Sequence, residues 1–217
     1  MSFRPAARQF FSRRAAPTPP LPYDAEVEYL ESTGTQYIDT GLWFTEDTQL
    51  ECVMSEGSDL SSLSAGGGGA ITGSSINGYG QQWKYAGYSK NANGSFYWDG
   101  SLLCDGSFYT FTMDSVRKVY LNGSYLFDAC VEGYHNVENQ YTRMYIMAQL
   151  VGNVINPRLY RVKSFKIVRS GTTIIDAKAV RFTNSNNQSE GAMYDRVSGQ
   201  LFRNAGTGAF LYGNDQS

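Results

Sequence analysis

Glu26, Glu28 and Glu31 are the side chains whose type and spacing first suggest chemistry, in the run E-V-E-Y-L-E. Retaining glycoside hydrolysis needs two carboxyls about 5–5.5 Å apart, one protonated and one ionised. On a strand, Glu26 and Glu28 share a face and approach that separation, whereas Glu31 falls on the opposite face unless a bulge intervenes. A second group is aromatic: Tyr79, Trp83, Tyr85, Tyr88, Tyr97 and Trp98, interleaved with Gln81, Gln82, Asn91, Asn93 and Asp99. Exposed rings beside planar polar groups suit a carbohydrate platform, although the same alternation serves core packing and cross-strand pairs. Asp99-Gly100 and Asp105-Gly106 have the residues of a calcium loop and, equally, of ordinary turns, so calcium is not supported as a cofactor.

Other chemistries are disfavoured by composition. His135 is the only histidine, in the loop-like Gly133-Tyr134-His135-Asn136, which removes most metal-site and Ser-His-Asp schemes. The glycine run at 64–69 is followed by neither Lys-Ser/Thr nor a helical pattern, so it is no phosphate cradle. Cys52, Cys104 and Cys130 are odd in number and lack a C-x-x-C spacing; buried free thiols are expected, with one disulfide still open. The net charge of −2 gives no push towards nucleic acid, and no apolar run approaches the ~20 residues of a membrane helix.

These groups sit on an uneven chain. Residues 1–23 hold Arg4, Arg8, Arg13 and Arg14, no acid, and every proline except Pro157. Residues 24–82 hold acids and no lysine or arginine, and in the last third basic residues recur from Arg143 to Arg203. The apolar pairs Ala6–Ala7 and Phe10–Phe11 are split by charge, which argues against a secretory signal. The composition fits a mitochondrial presequence, a disordered tail or a docking peptide. In the docking reading Phe3, Phe10 and Phe11 are apolar anchors, the arginines add charge-assisted contacts, and Pro17–Pro22 is a stiff spacer.

From residue 24 the pattern becomes short period-two strands with Gly, Asn and Ser-Gly turns. Thr48–Ser55 alternates as a core strand, and Arg143–Leu150 is aromatic and branched. Val116–Leu121 and Ser124–Asp128 flank Asn122-Gly123, the strongest short hairpin signal. Arg158–Val168 and Thr172–Ala177 flank Ser170-Gly171; Met193–Val197 and Gln200–Arg203 flank Ser198-Gly199. No stretch of ten or more residues has helical periodicity. The expectation is an extended arm, 1–23, followed by an all-β, two-sheet antiparallel sandwich over 24–217.

Two long passages carry a resemblance. Glu28–Gly41, E-Y-L-E-S-T-G-T-Q-Y-I-D-T-G, and Gly191–Gly213, G-A-M-Y-D-R-V-S-G-Q-L-F-R-N-A-G-T-G-A-F-L-Y-G, resemble the opening and close of concanavalin A-like, laminin-G-like jelly-roll domains. That family is common in gut bacteria and their phages. Val119–Gly123 looks like its central V-Y-L-N-G hairpin and Leu159–Ile167 like its penultimate hairpin strand. The resemblance implies a jelly-roll sandwich in which the opening stretch pairs with Ala209–Tyr212. Residues 182–189 depart from the pattern as a polar, loose loop. Such sandwiches serve as sugar-binding modules, adhesion domains, glycosidases and virion parts, so the fold does not settle the task.

Glucanases of the wider superfamily carry E-x-D-x-x-E or E-x-D-x-E on a central strand. The acids here lack the central Asp and lie at the start of the domain, which points to a non-catalytic protein. The expectation is a phage virion component docked through residues 1–22 into a capsid or tail assembly. It displays a lectin-like sandwich at the virion surface for cell-surface glycans, without cofactor, nucleic acid or membrane; homo-oligomers are compatible with it. The alternative is a secreted or surface carbohydrate-binding protein or glycoside hydrolase of a gut bacterium.

Overall fold

A computed structural model of the chain describes residues 20–43, 45, 47–56, 69–75, 82–85, 107–116, 118–128, 143–151, 154–157 and 159–216. The strands are β1 (Ala25–Glu26), β2 (Leu30–Glu31), β3 (Ile38–Trp43), β4 (Gln49–Glu56), β5 (Gly69–Ser75), β6 (Gln82–Tyr85), β7 (Tyr109–Met113), β8 (Lys118–Leu121) and β9 (Ser124–Asp128). They continue as β10 (Arg143–Ile146), β11 (Ala148–Val151), β12 (Val154–Pro157), β13 (Tyr160–Arg169), β14 (Thr172–Thr183), β15 (Ser189–Asp195), β16 (Leu201–Phe202) and β17 (Leu211–Tyr212). Among the described residues there is no helix.

An 11-stranded sheet runs β16-β15-β14-β13-β4-β7-β8-β9, with β1, β2 and β17 attached beside β13 and β14. Facing it is the pair β3–β10. Past Met147, whose φ of 62° breaks the expected 143–150 strand, the chain continues into β11 of a further sheet ordered β12-β11-β5-β6. The described pairings are antiparallel except β5 with β11, a departure from the wholly antiparallel expectation. The layers share one core: Leu50, Cys52, Phe111, Val119, Phe165, Ile167 and Met193 of the large sheet meet Ile38, Met144 and Ile146 of β3–β10. This is a β-sandwich, and each such buried Leu, Ile, Val, Phe or Met side chain contributes about 1.5–3 kcal/mol relative to exposure. Burial pushes the Cys52 thiol far above its ordinary pKa, so it packs as an apolar group.

Turn chemistry sets the hairpins. Asn122 and Gly123 have φ of 47° and 80°, and Ser170 and Gly171 have φ of 46° and 73°. Two successive positive values make type I′ turns, whose twist matches that of the strands. The β15–β16 turn closes through Gly199 N–H to the Asp195 carbonyl at 2.8 Å. Several strands differ in extent from expectation: β15, expected over Met193–Val197, spans Ser189–Asp195, β4, β13 and β16 shift by one or two residues at their ends, and β8 and β14 differ for reasons that can be named. β8 is described from Lys118, and Val116, expected in it, is turn: the Asp114 carboxylate accepts from Val116 N at 3.0 Å and from Lys118 N at 2.8 Å. β14 runs on to Thr183, because β15 pairs along it from Asp195 to Ser189.

That extension corrects the loose loop expected at 182–189. Phe182 and Thr183 are strand, and 184–188 form a tight turn. Asn184 Oδ1 accepts from Asn186 N at 2.8 Å and Gln188 N at 3.0 Å, while Asn187 takes φ of 59°. Asparagines mimic the backbone in turns and tolerate the left-handed region, so polarity here signals a hairpin.

The opening stretch enters the fork where β13 and β14 part. Those strands pair from Arg169↔Thr172 to Ser164↔Lys178. Beyond that, Arg181 and Val180 pair with Ala25 and Glu26, while Val162 and Arg161 pair with Leu30 and Glu31. The expected pairing with the C-terminal strand is present: Leu30↔Tyr212 and Glu31↔Leu211. It continues through Gly213 N to the Tyr29 carbonyl at 3.0 Å and Gln216 N to the Glu26 carbonyl at 2.8 Å.

Candidate functional site

The acids of the opening stretch are built into this fork. Val27 and Leu30 both point into the core, so the inward-outward alternation shifts in the bend between them. Glu31 therefore faces outward like Glu26 and Glu28, the exception to strict alternation that an irregularity in the chain allows. Glu26 forms an ion pair with Lys178 and accepts from Tyr23 Oη at 3.4 Å. Glu28 Oε2 accepts from Asn214 N at 3.3 Å and Nδ2 at 3.4 Å. Glu31 Oε2 accepts from Arg161 Nε at 3.1 Å, and the Arg161 guanidinium lies 4.9 Å from the Tyr29 ring centre. Each carboxylate thus ties the opening segment to a different element.

The Glu31–Arg161 pair is the most enclosed of these, with side-chain exposures of 7% and 22%. Glu31→Gln keeps the shape and loses the charge, so it is expected to cost about 1–2 kcal/mol in urea denaturation. Glu28→Gln, at an exposed pairing, is expected to stay within about 0.5 kcal/mol of wild type. Equal losses at the two positions would refute the assignment of Glu31 as the structural acid.

Of the aromatic run, Trp83 and Tyr85 lie in β6, where Tyr85 pairs with Gly69. Tyr79, Tyr88, Tyr97, Trp98 and Asp99 lie outside the described residues, as do Asp105, His135, Cys104 and Cys130. So do Phe3, Arg4, Arg8, Phe10, Phe11, Arg13 and Arg14 of the arm. Its last residue, Tyr23, packs on Val180, Phe182 and Ala192, with its ring 4.9 Å from that of Tyr194. No cluster of metal-ligating side chains occurs among the described residues.

A different aromatic and polar group comes together on the outward face of β3–β10. Ile38, Thr40 and Leu42 turn inward with Met144 and Ile146, which leaves Tyr37, Asp39, Trp43, Arg143 and Tyr145 on the other side. Arg143 lies between its partners. Its Nε donates to Asp39 Oδ1 at 2.8 Å, its Nη2 contacts Asp39 Oδ2 at 2.8 Å, and its guanidinium carbon is 5.7 Å from the Trp43 ring centre. Tyr37 and Tyr145 meet edge to face at 5.7 Å. Burial first, then the Asp39 charge, push both phenols above their ordinary pKa, so both remain neutral donors at physiological pH.

Local sequence produces this face through Thr40-Gly41. Register jumps between Arg143↔Trp43 and Tyr145↔Asp39, which places Thr40–Leu42 opposite Met144 alone. Gly41 takes φ of 72° there, and Thr40 Oγ1 donates to the Met144 carbonyl at 2.8 Å. The bulge re-aims Trp43 towards Arg143. Tyr37, Asp39 and Trp43 alternate visibly in the sequence, but Arg143 is 104 residues from Asp39, and no local pattern announces it.

Comparison of the chain with models of protein families, with curated proteins and with solved structures finds no match.

Proposed function

We propose that the chain is a non-catalytic structural and adhesive module, a capsid- or tail-associated virion protein docked through residues 1–22. Its body is a concanavalin A-like jelly roll displayed towards cell-surface glycans. The observation that carries the reading is the engagement of the opening acids by Lys178, Asn214 and Arg161, which makes that stretch scaffold. The resemblance of its opening and closing passages to jelly-roll domains of phages supports the rest.

The test compares tagged full-length protein with a variant lacking residues 2–22, both recovered from cells in which the particle assembles. Mass spectrometry is expected to find virion structural proteins with the full chain and not with the shortened one. Equal recovery overturns the docking role. Glycan hydrolysis that Glu28→Gln abolishes overturns the non-catalytic assignment.

A further inference from the structure

We propose that the outward face of β3–β10 binds a neutral saccharide unit, with Tyr37 and Trp43 as stacking rings and Asp39–Arg143 as the hydrogen-bonding clamp. The proposal rests on the reading of the chain as a displayed glycan-binding module, and adds a site and a ligand class to it. A sugar ring presents an apolar C–H face and an edge of hydroxyls. Such a ligand needs a flat aromatic surface beside a group that both donates and accepts in one plane. The Asp39–Arg143 pair offers carboxylate lone pairs and guanidinium N–H groups side by side, with the Trp43 ring 5.7 Å from the guanidinium carbon and the Tyr37–Tyr145 ring pair on the same face, Tyr145 opposite Asp39.

The charge balance selects a neutral ligand. Both Asp39 oxygens are engaged by Arg143, at 2.8 Å each, so the pair is electrically closed. A carboxylate or phosphate would have to displace Asp39 from the guanidinium fork, whereas hydroxyls can join the lone pairs and N–H groups that remain. The side chains are also reachable, with 33% of Arg143 and 28% of Asp39 exposed.

The face is held ready. Tyr145 is buried against Tyr37, and Tyr37 N donates to Asn204 Oδ1 at 3.1 Å, which fixes that ring's backbone to the closing passage. The Gly41 bulge fixes the aim of Trp43. Sites on strands whose side chains are already locked lose little freedom on binding.

The experiment presents the full chain to immobilised neutral oligosaccharides of glucose, galactose, mannose and N-acetylglucosamine, with sialylated and uronic-acid sugars as the acidic arm. The strongest neutral probe is then titrated calorimetrically against wild type, Asp39→Asn and Trp43→Ala, with thermal melting as the folding check. Both variants are expected to lose at least tenfold in affinity while still melting cooperatively. If Trp43→Ala does not fold, Asp39→Asn, which keeps the side-chain shape, decides. Unchanged affinity in a folded variant overturns this site and leaves the adhesive reading standing. Failure to bind any sugar overturns both, and preference for the acidic arm overturns the ligand class. A wild type that sediments as an oligomer, and becomes monomeric in Trp43→Ala without binding sugar, makes the face a contact between copies and overturns the proposal.

Discussion

Gly206→Ala is expected to destabilise the sandwich by about 3 kcal/mol or more, at the upper end of overpacking costs. A Cβ on Gly206 would lie 2.0 Å from the Thr35 carbonyl oxygen and 3.1 Å from Tyr37 Cδ1. The obstacle is backbone and cannot rotate away. It is also pinned on both sides, because Thr207 N donates to that same oxygen at 3.1 Å and Ala205 N to the Tyr37 carbonyl at 2.9 Å. Relief would require parting the opening and closing passages, with loss of the bond from Thr35 Oγ1 to the Thr207 carbonyl at 3.0 Å. Gly123→Ala is the control: φ is +80° there and nothing lies within 4 Å, so only the left-handed backbone is penalised, by about 1–2 kcal/mol. Urea denaturation followed by tryptophan fluorescence compares the two. A Gly206→Ala midpoint equal to that of Gly123→Ala would mean that the passages are not interlocked as described.

The same contacts explain why the opening and closing passages are so distinctive as sequence. Gly191 admits no Cβ because Leu30 Cδ2 would lie 2.7 Å away, and Gly213 is closed by Glu28 Cβ at 2.8 Å. The Gln36 side chain, itself buried, accepts from Thr33 N at 2.8 Å and sits against Gly208. Residues far apart along the chain thus form one closely fitted unit, and that fit demands particular residue types. The pairing of Leu30–Glu31 with Leu211–Tyr212 is legible in the amino-acid sequence for that reason. The type I′ hairpins are legible for a simpler one, since Asn-Gly and Ser-Gly fix φ where they stand. The β3–β10 face is not legible. Tyr37, Asp39 and Trp43 read equally well as the polar side of a half-buried strand, and only the register of β10 brings Arg143 and Tyr145 to them. The loose reading of 182–189 fails because side-chain polarity alone leaves out the backbone bonds that Asn184 makes.

Asp195→Asn is expected to cost about 2–3 kcal/mol near pH 6 and progressively less in acid. The residue is buried at the β15–β16 turn. Its Oδ1 accepts from Asp176 N at 2.8 Å and Val197 N at 3.1 Å, and its Oδ2 accepts from Ser198 N at 3.0 Å and Ser198 Oγ at 2.6 Å. Burial alone would raise its pKa, but the Asp176 amide, then the Ser198 hydroxyl and the Val197 and Ser198 amides, hold it below the ordinary value. Asparagine can replace Oδ1 as an acceptor, but its amide N–H groups then face the Ser198 donors, leaving a buried clash of donors. A carboxyl whose folded pKa is depressed contributes stability that is fully present above its unfolded pKa, ~3.9, and is lost as pH falls through the folded value. Wild type should therefore lose stability below about pH 4 that Asp195→Asn does not lose from this site, and the gap between them should narrow. Urea midpoints at pH 6 and pH 3 measure that gap. A gap that stays constant would show that the Asp195 charge does not hold this turn, and that the cost of the substitution comes from packing.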